Sequence, residues 1–247
     1  MVATVARARP LLLLIPLLAA VLGFAGALDN GWTNWDDPNY LLFNPLTERP
    51  LSEGLLGLLF TESIGYPIPV TIAGYAAQRA VFGLDPTAFH AFSLILHLGC
   101  VSLAAVLARR LGAGWMAASL AAALFAVHPI VVEPVAWVVG QKDLWSALLL
   151  LGALIIRASD RAERPLRIAA VLALVMLSLL SKPNAVGAGL MIAGIDLVRG
   201  RRLADRGNLI TYGALLAMGV AAALLALAGH GGAPADRASM SSLGEAV

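Results

Sequence analysis

The chain has 247 residues, is 60% hydrophobic and 13% charged, and carries a formal net charge of +2. A soluble domain is about half apolar and a quarter charged, so these values exclude an ordinary soluble domain and predict an integral membrane protein with several spans. The small net charge and the lack of a long basic run exclude nucleic acid as a partner, and a single cysteine excludes an intrachain disulfide.

In chain order, apolar runs cover residues 11–28, 89–108, 112–128, 144–157, 166–181, 184–198 and 208–229. They predict an all-α, polytopic transmembrane bundle of about seven spans. Arg7 and Arg9 precede the first run, and Ala25-Gly26-Ala27 resembles a signal-peptide cleavage site. The run is long for a signal core and more spans follow, so an uncleaved first span is predicted. The fourth, fifth and sixth runs are short against the roughly 20 helical residues a bilayer needs. Cys100 lies inside the second run and reads as a small buried hydrophobe.

Between the first two runs lies a loop from about Asp29 to Ala88, rich in Trp, Tyr and Pro. Two surface helices are predicted in it, over Val70 to Val81 and over Leu51 to Phe60. Gln78 and Arg79 count against a span in the first of these. With a cytoplasmic N-terminus, 12 Lys and Arg fall on the cytoplasmic side and 5 outside, out of 17 in all. That asymmetry follows the positive-inside rule and makes the long loop external. The chain therefore divides into a membrane domain over 1–229 and an external polar tail over 230–247, the latter expected to be incomplete or disordered.

The unusual polar residues gather on the predicted outer side: Asp36, Asp37, His90, His128, Glu133, Lys142, Asp143 and Lys182. The cytoplasmic loops offer arginines, a few acids and nothing distinctive. Ionisable groups at membrane depth are functional candidates by default. Pro38 restricts Asp37 to extended or turn geometry, and neighbours in an extended segment point apart. A division of roles follows: one carboxylate accepts a proton from a hydroxyl, while the other binds a cation, a backbone amide or a lysine. The competing reading is an Asx-turn or helix cap.

Lys142 and Lys182, at the outer ends of apolar segments, suit a phosphate, or else they snorkel to the interface. Asp143 offers Lys142 a neutralising neighbour. His128 and Glu133, beside the helix-breaking Pro129 and Pro134, match no metal-ligand spacing and read as structural hydrogen-bonding groups. His97, one heptad after His90, reads as a helix–helix contact. The chain holds no glycine-rich phosphate loop, no Gly-x-Ser-x-Gly elbow and no His-Glu-x-x-His.

Five stretches resemble one family. They are Trp35-Asp36-Asp37-Pro38, Phe82-Gly83-Leu84-Asp85-Pro86 to Phe89-His90, Leu94 to His97, His128-Pro129 through Trp137 to Lys142-Asp143, and Leu180-Ser181-Lys182-Pro183-Asn184. Together they resemble the membrane part of GT-C superfamily glycosyltransferases, closest to the O-mannosyltransferase-like proteins that carry tetratricopeptide repeats. The resemblance implies a sugar donor linked to a polyprenyl phosphate, a protein or glycan hydroxyl as acceptor, and an inner (plasma) membrane location with the site facing outside. It implies Asp36 or Asp37 as catalytic base, Lys142 and Lys182 on the donor phosphate, and Trp35, His90, His128, Glu133 and Asp143 in support. Some members use a divalent cation and others none, so the cofactor stays open. Gln141 stands where the family usually has arginine before Lys-Asp, which is expected to weaken phosphate binding. The repeats and later spans are missing, so a fragment is expected. The rival readings are a transporter or flippase for a lipid-linked substrate, which would show paired interrupted helices, and an inactive truncated scaffold.

Overall fold

A computed structural model of the chain describes residues 9–48, 66–160 and 164–230. All regular structure among them is helical. The main helices are α1 (Leu14–Phe24), α2 (Pro69–Phe82), α3 (Pro86–Arg110), α4 (Trp115–Ala126), α5 (Val132–Ala136), α6 (Gln141–Arg157), α7 (Pro165–Leu179), α8 (Ala188–Val198) and α9 (Arg206–His230). The helix predicted over Leu51 to Phe60 lies outside the described residues, as does the predicted tail from 231 on. The one predicted over Val70 to Val81 is α2.

All seven apolar runs are helical, but they are not seven equal spans. Among the described residues, four helical segments are long and apolar enough to cross a membrane: Leu11–Asp29, Pro86–Arg110, Val138–Arg157 and Arg206–Ala228. A fifth arises if Trp115–Ala126 and Pro129–Ala136, bent by 52° at their break, count as one. Pro129 cannot continue the helix, and the His128 ring caps the new turn by accepting from the Ile130 N–H at 3.2 Å. Pro165–Leu179 and Ala185–Val198 remain short apolar helices. The fourth run is longer than predicted. It starts at Val138 rather than Leu144, because Gln141, Lys142 and Asp143 occupy the first helical turn. With several such segments, the chain is a multi-pass membrane protein.

Local chemistry explains the helix ends. Asp85 caps α3, its carboxylate accepting from the Thr87 N–H at 3.0 Å, with Pro86 at the first helical position. The chain leaves α3 through Gly112, whose φ of 97° an L side chain resists.

At the centre, α6 lies between α3 and α7, while α1 packs on α3 and α4, and α9 on α7 and α8. The α1–α3–α4 seam is built from small residues: Ala20, Val101, Ala105, Ala122 and Ala126 are all buried. Without water to drive association, close backbone approach through small side chains is what holds membrane helices together. His97 completes this seam. Its Nε2 lies 2.9 Å from the Ala126 carbonyl, and its ring packs edge-to-face with Phe24 and at a tilt against Phe125. Cys100 is buried, with its thiol toward the Leu144 carbonyl at 3.6 Å. Large apolar side chains such as Leu22, Leu124, Leu190 and Leu227 face outward, as lipid contact requires.

One expectation is overturned at the arginine-rich end. Arg157 and Asp196, within the fourth and sixth apolar runs, are fully buried partners, joined by Arg201, Asn208 and Tyr212. They tie α6, α8 and α9 together. The sequence reading found nothing distinctive at this end, because residues 39 to 51 positions apart are brought together only by packing.

The backbone between α5 and α6 is packed without spare room. A Cβ built on Gly140 would lie 2.7 Å from Pro134 Cα and 2.8 Å from the Glu133 carbonyl oxygen. Gly140→Ala is therefore expected to cost about 1–3 kcal/mol, since the obstacle is backbone rather than a side chain that can turn away. A fall in the detergent unfolding temperature would show it, and an unchanged temperature would contradict the packing.

Candidate functional site

The long loop folds onto the ends of α3 and α6 around its own core. Tyr40, Leu41, Leu46, Ile68, Ile72, Tyr75, Phe89, Val138 and Val139 form one buried cluster. The clamp is α2. Its Thr71 hydroxyl donates to the Ser181 carbonyl at 2.9 Å, and the Tyr75 hydroxyl donates to the Val139 carbonyl at 3.1 Å. Gln78 and Gln141 exchange amide hydrogen bonds at 2.8 and 3.1 Å, and Gln141 also donates to the Phe89 carbonyl at 3.0 Å. Arg79 donates to the Leu41 carbonyl and the Thr47 hydroxyl, both at 3.1 Å, and pairs with Glu48 at 2.7 Å. The polar residues that argued against a span are thus spent on fixing the loop. Through these contacts α2 holds the two corners that carry Lys142 and Lys182.

The two aspartates take different environments. Asp37 is fully buried; its Oδ2 accepts from the Thr33 N–H at 2.7 Å and the Thr33 hydroxyl at 3.0 Å. Its backbone is right-handed helical, φ −55° and ψ −41°, and it opens the helical turn Pro38–Leu42. The extended alternative offered by the following proline is not taken, because the Asp36 carbonyl accepts from Asn39 and Tyr40 and closes a turn there. The Oδ1 of Asp37 is buried without a hydrogen-bond partner among the described residues. Asp36 is partly exposed, with its Oδ2 4.0 Å from Lys142 Nζ.

Lys142 is a buried cation whose ion pair with Asp36 is loose, at 4.0 Å. Its Nζ sits 4.5 Å above the Tyr40 ring and 5.4 Å from the Trp137 ring. Aromatic faces stabilise a cation while leaving its N–H donors unspent. Burial, then the neighbouring Tyr66, pushes the Tyr40 phenol well above its ordinary range, so it stays neutral beside the lysine. Asp143 does not neutralise Lys142, as adjacency suggested. Successive residues on a helix point about 100° apart, and the Asp143 carboxylate reaches Lys182 instead, at 2.6 and 2.7 Å. Asn184 supports that pair at 3.2 Å, and the Ser146 hydroxyl holds Asn184 at 3.0 Å. Lys182 is thus already paired, and Lys142 is the cation with unspent donors.

The supporting residues divide. His90 is buried with Nε2 3.5 Å from the Gly31 carbonyl, which steadies the strand of loop leading to the aspartates. His128 serves as the cap described above. Trp35 is 77% exposed. With Thr33, Glu133 and Trp137 it lines a cleft of about 490 Å³ beside Asp36. A second, almost wholly apolar groove of about 360 Å³ runs between α7 and α9. Tyr66, Pro67, Leu180 and Pro183 line the end next to Lys182, and Met218 and Leu225 line the wall on α9. Among the described residues no group of three or more His, Cys, Asp or Glu is arranged to hold a metal ion.

Several contributors were not singled out from sequence. Tyr40, Thr33, Gln78, Thr71 and Asn184 act through partners 4 to 110 residues away, and spacing alone carries no signal for that.

Part of this sequence is shared with known proteins. Protein O-mannosyl-transferase Tmtc2 of Drosophila melanogaster is 35% identical over 163 residues, which is 62% of this chain and 17% of that protein. Protein O-mannosyl-transferase Tmtc1 of the same organism is 29% identical over 200 residues, 76% of this chain and 23% of that protein. Human protein O-mannosyl-transferase TMTC4 is 42% identical over 82 residues. The chain is a relative of the protein O-mannosyl-transferases. No family model and no solved structure matches it. The matched region spans about a fifth of the two fly O-mannosyl-transferases, so what is shared with them is a membrane part of larger proteins.

Proposed function

We propose that the chain is the membrane part of a glycosyltransferase. In this reading it moves a sugar, mannose by analogy with its relatives, from a polyprenyl-phosphate carrier to a protein hydroxyl. The arginine distribution supports a site on the outer face of the plasma membrane. The observation that carries the reading is Lys142, a buried ammonium with unspent donors, 4.0 Å from a partly exposed carboxylate. A cation for a leaving phosphate and a base for an attacking hydroxyl are what sugar transfer from a phosphate requires.

The acceptor oxygen would attack the anomeric carbon from the face opposite the phosphate, giving inversion, so the incoming donor must part Lys142 from Asp36, whose 4.0 Å separation is too short to span the transferred sugar. Its proton passes to Asp36. The sugar–phosphate C–O bond breaks, and the phosphate takes the bonding electrons while Lys142 stabilises the added charge. The leaving group is already activated, so positioning and charge stabilisation suffice. Asp37 holds the turn that presents Asp36. The apolar groove beside Lys182 suits the hydrocarbon chain of the carrier.

The test is binding of polyprenyl phosphate to the chain in nanodiscs, followed by transfer from the mannosylated carrier. Lys142→Met is expected to weaken lipid-phosphate binding about 10-fold to 100-fold, the range of a lost charged hydrogen bond at roughly 1.5–3 kcal/mol. Lys182→Met is expected to do less, because Asp143 already occupies that ammonium. A wild-type chain that neither binds the phosphate nor transfers sugar would sink the proposal.

A further inference from the structure

The reaction above uses Asp36 and Lys142 but leaves the cleft of Trp35, Thr33, Glu133 and Trp137 without a role. We infer that this cleft is the acceptor subsite and that it selects a polypeptide carrying basic residues beside the hydroxyl to be modified. The inference rests on the transferase reading and adds acceptor selectivity to it.

Position comes first. Trp35 precedes Asp36 in the chain, and Trp137 both lines the cleft and lies 5.4 Å from Lys142 Nζ. The cleft thus lies one residue along the chain from the proposed base and across the Trp137 indole from the proposed phosphate cation. Chemistry comes second. Glu133 is the charged residue of the lining, it is exposed, and it has no ion pair or hydrogen bond to its side chain among the described residues. Asp36 adds a second carboxylate next door. An acidic acceptor meets repulsion there, while a lysine or arginine finds a carboxylate and two indole faces suited to cations.

Trp35 supports the same conclusion. At 77% exposure it does no core packing, yet it stands at the cleft mouth. Exposed tryptophan is the side chain most often found carrying binding energy. It is also common at the membrane interface, which makes lipid the competing occupant. Glu133 disfavours anionic headgroups, so a peptide is the better fit.

The test uses the full chain in phosphatidylcholine nanodiscs, which add no net lipid charge. Two labelled, capped pentapeptides are compared by fluorescence anisotropy, one with threonine between two lysines and one with threonine between two glutamates. The basic peptide is expected to bind about fivefold tighter, the scale of an exposed ion pair. Glu133→Lys is expected to reverse the preference, and Trp35→Ala to weaken the basic peptide. Replacing the threonine by alanine should leave binding unchanged, since recognition precedes chemistry. Equal binding of both peptides, a preference that survives Glu133→Lys, or indifference to Trp35→Ala each overturns the inference. Charge-selective binding without sugar transfer would sink the transferase reading alone, and transfer without charge selectivity would sink the cleft assignment alone.

Discussion

Asp36→Asn is expected to lower the rate of sugar transfer by about 10²–10⁴-fold, the usual contribution of a positioned general base. The loss should fall on kcat, with donor affinity nearly unchanged or improved. Asparagine keeps the shape but cannot take a proton, and removing the carboxylate frees Lys142 from its partner at 4.0 Å. The fold should tolerate the change, because this side chain is partly exposed and makes no short hydrogen bond. Asp37→Asn should behave in the opposite way. Asp37 is fully buried and accepts two bonds from Thr33, so its main loss is in stability, about 1.5–3 kcal/mol for charge-assisted hydrogen bonding. Rate and unfolding temperature must therefore be measured on both variants in membranes where the wild type transfers sugar. If Asp37→Asn abolishes transfer at an unchanged unfolding temperature while Asp36→Asn stays active, the roles are reversed and the assignment of the base is wrong.

That contrast also shows where sequence reading reached its end. Two adjacent aspartates before a proline gave an even choice between a turn and a catalytic group; the structure puts Asp37 in the turn and leaves Asp36 partly exposed, which is why Asp36 is the one proposed as base. Their environments differ through Thr33, four residues back, and Lys142, more than a hundred residues on. The apolar runs were legible because hydrocarbon imposes a composition on any helix it surrounds. Their ends were less so. Gln141, Lys142 and Asp143 look like loop yet form the first turn of α6, where anchoring by α2 satisfies the amide of Gln141. The glutamine at position 141 has a structural reason there. Gln141 is fully buried in a neutral amide pair, a place where an unpaired guanidinium would be costly. In the reading proposed above, Lys142 would then carry the donor phosphate without help from position 141.

The buried charge cluster at the other end yields the second large expected effect, and it falls on stability alone. Asp196 accepts from Arg157 at 2.7 Å, from Arg201 at 2.9 Å and from Tyr212 at 2.6 Å, with no exposure to solvent. Asp196→Ala leaves Arg157, itself 1% exposed, with its charge uncompensated, and removes a partner from Arg201. Breaking a buried pair from one side costs roughly 3–5 kcal/mol, a large share of a typical 5–15 kcal/mol stability. Arg157→Met should cost less, because Asp196 keeps Arg201 and Tyr212 as donors. The double variant Arg157→Met with Asp196→Ala is expected to recover part of the loss of Asp196→Ala, since Arg157 is then no longer a stranded charge, although Arg201 still loses a carboxylate. Thermal unfolding of the four proteins in one detergent forms the double-mutant cycle that checks this. Strict additivity, or a more stable Asp196→Ala than Arg157→Met, would mean that these residues do not act as a coupled buried network. Sugar donor binding at Lys142 should be unaffected in every folded variant, because the cluster and the site occupy opposite ends of α6.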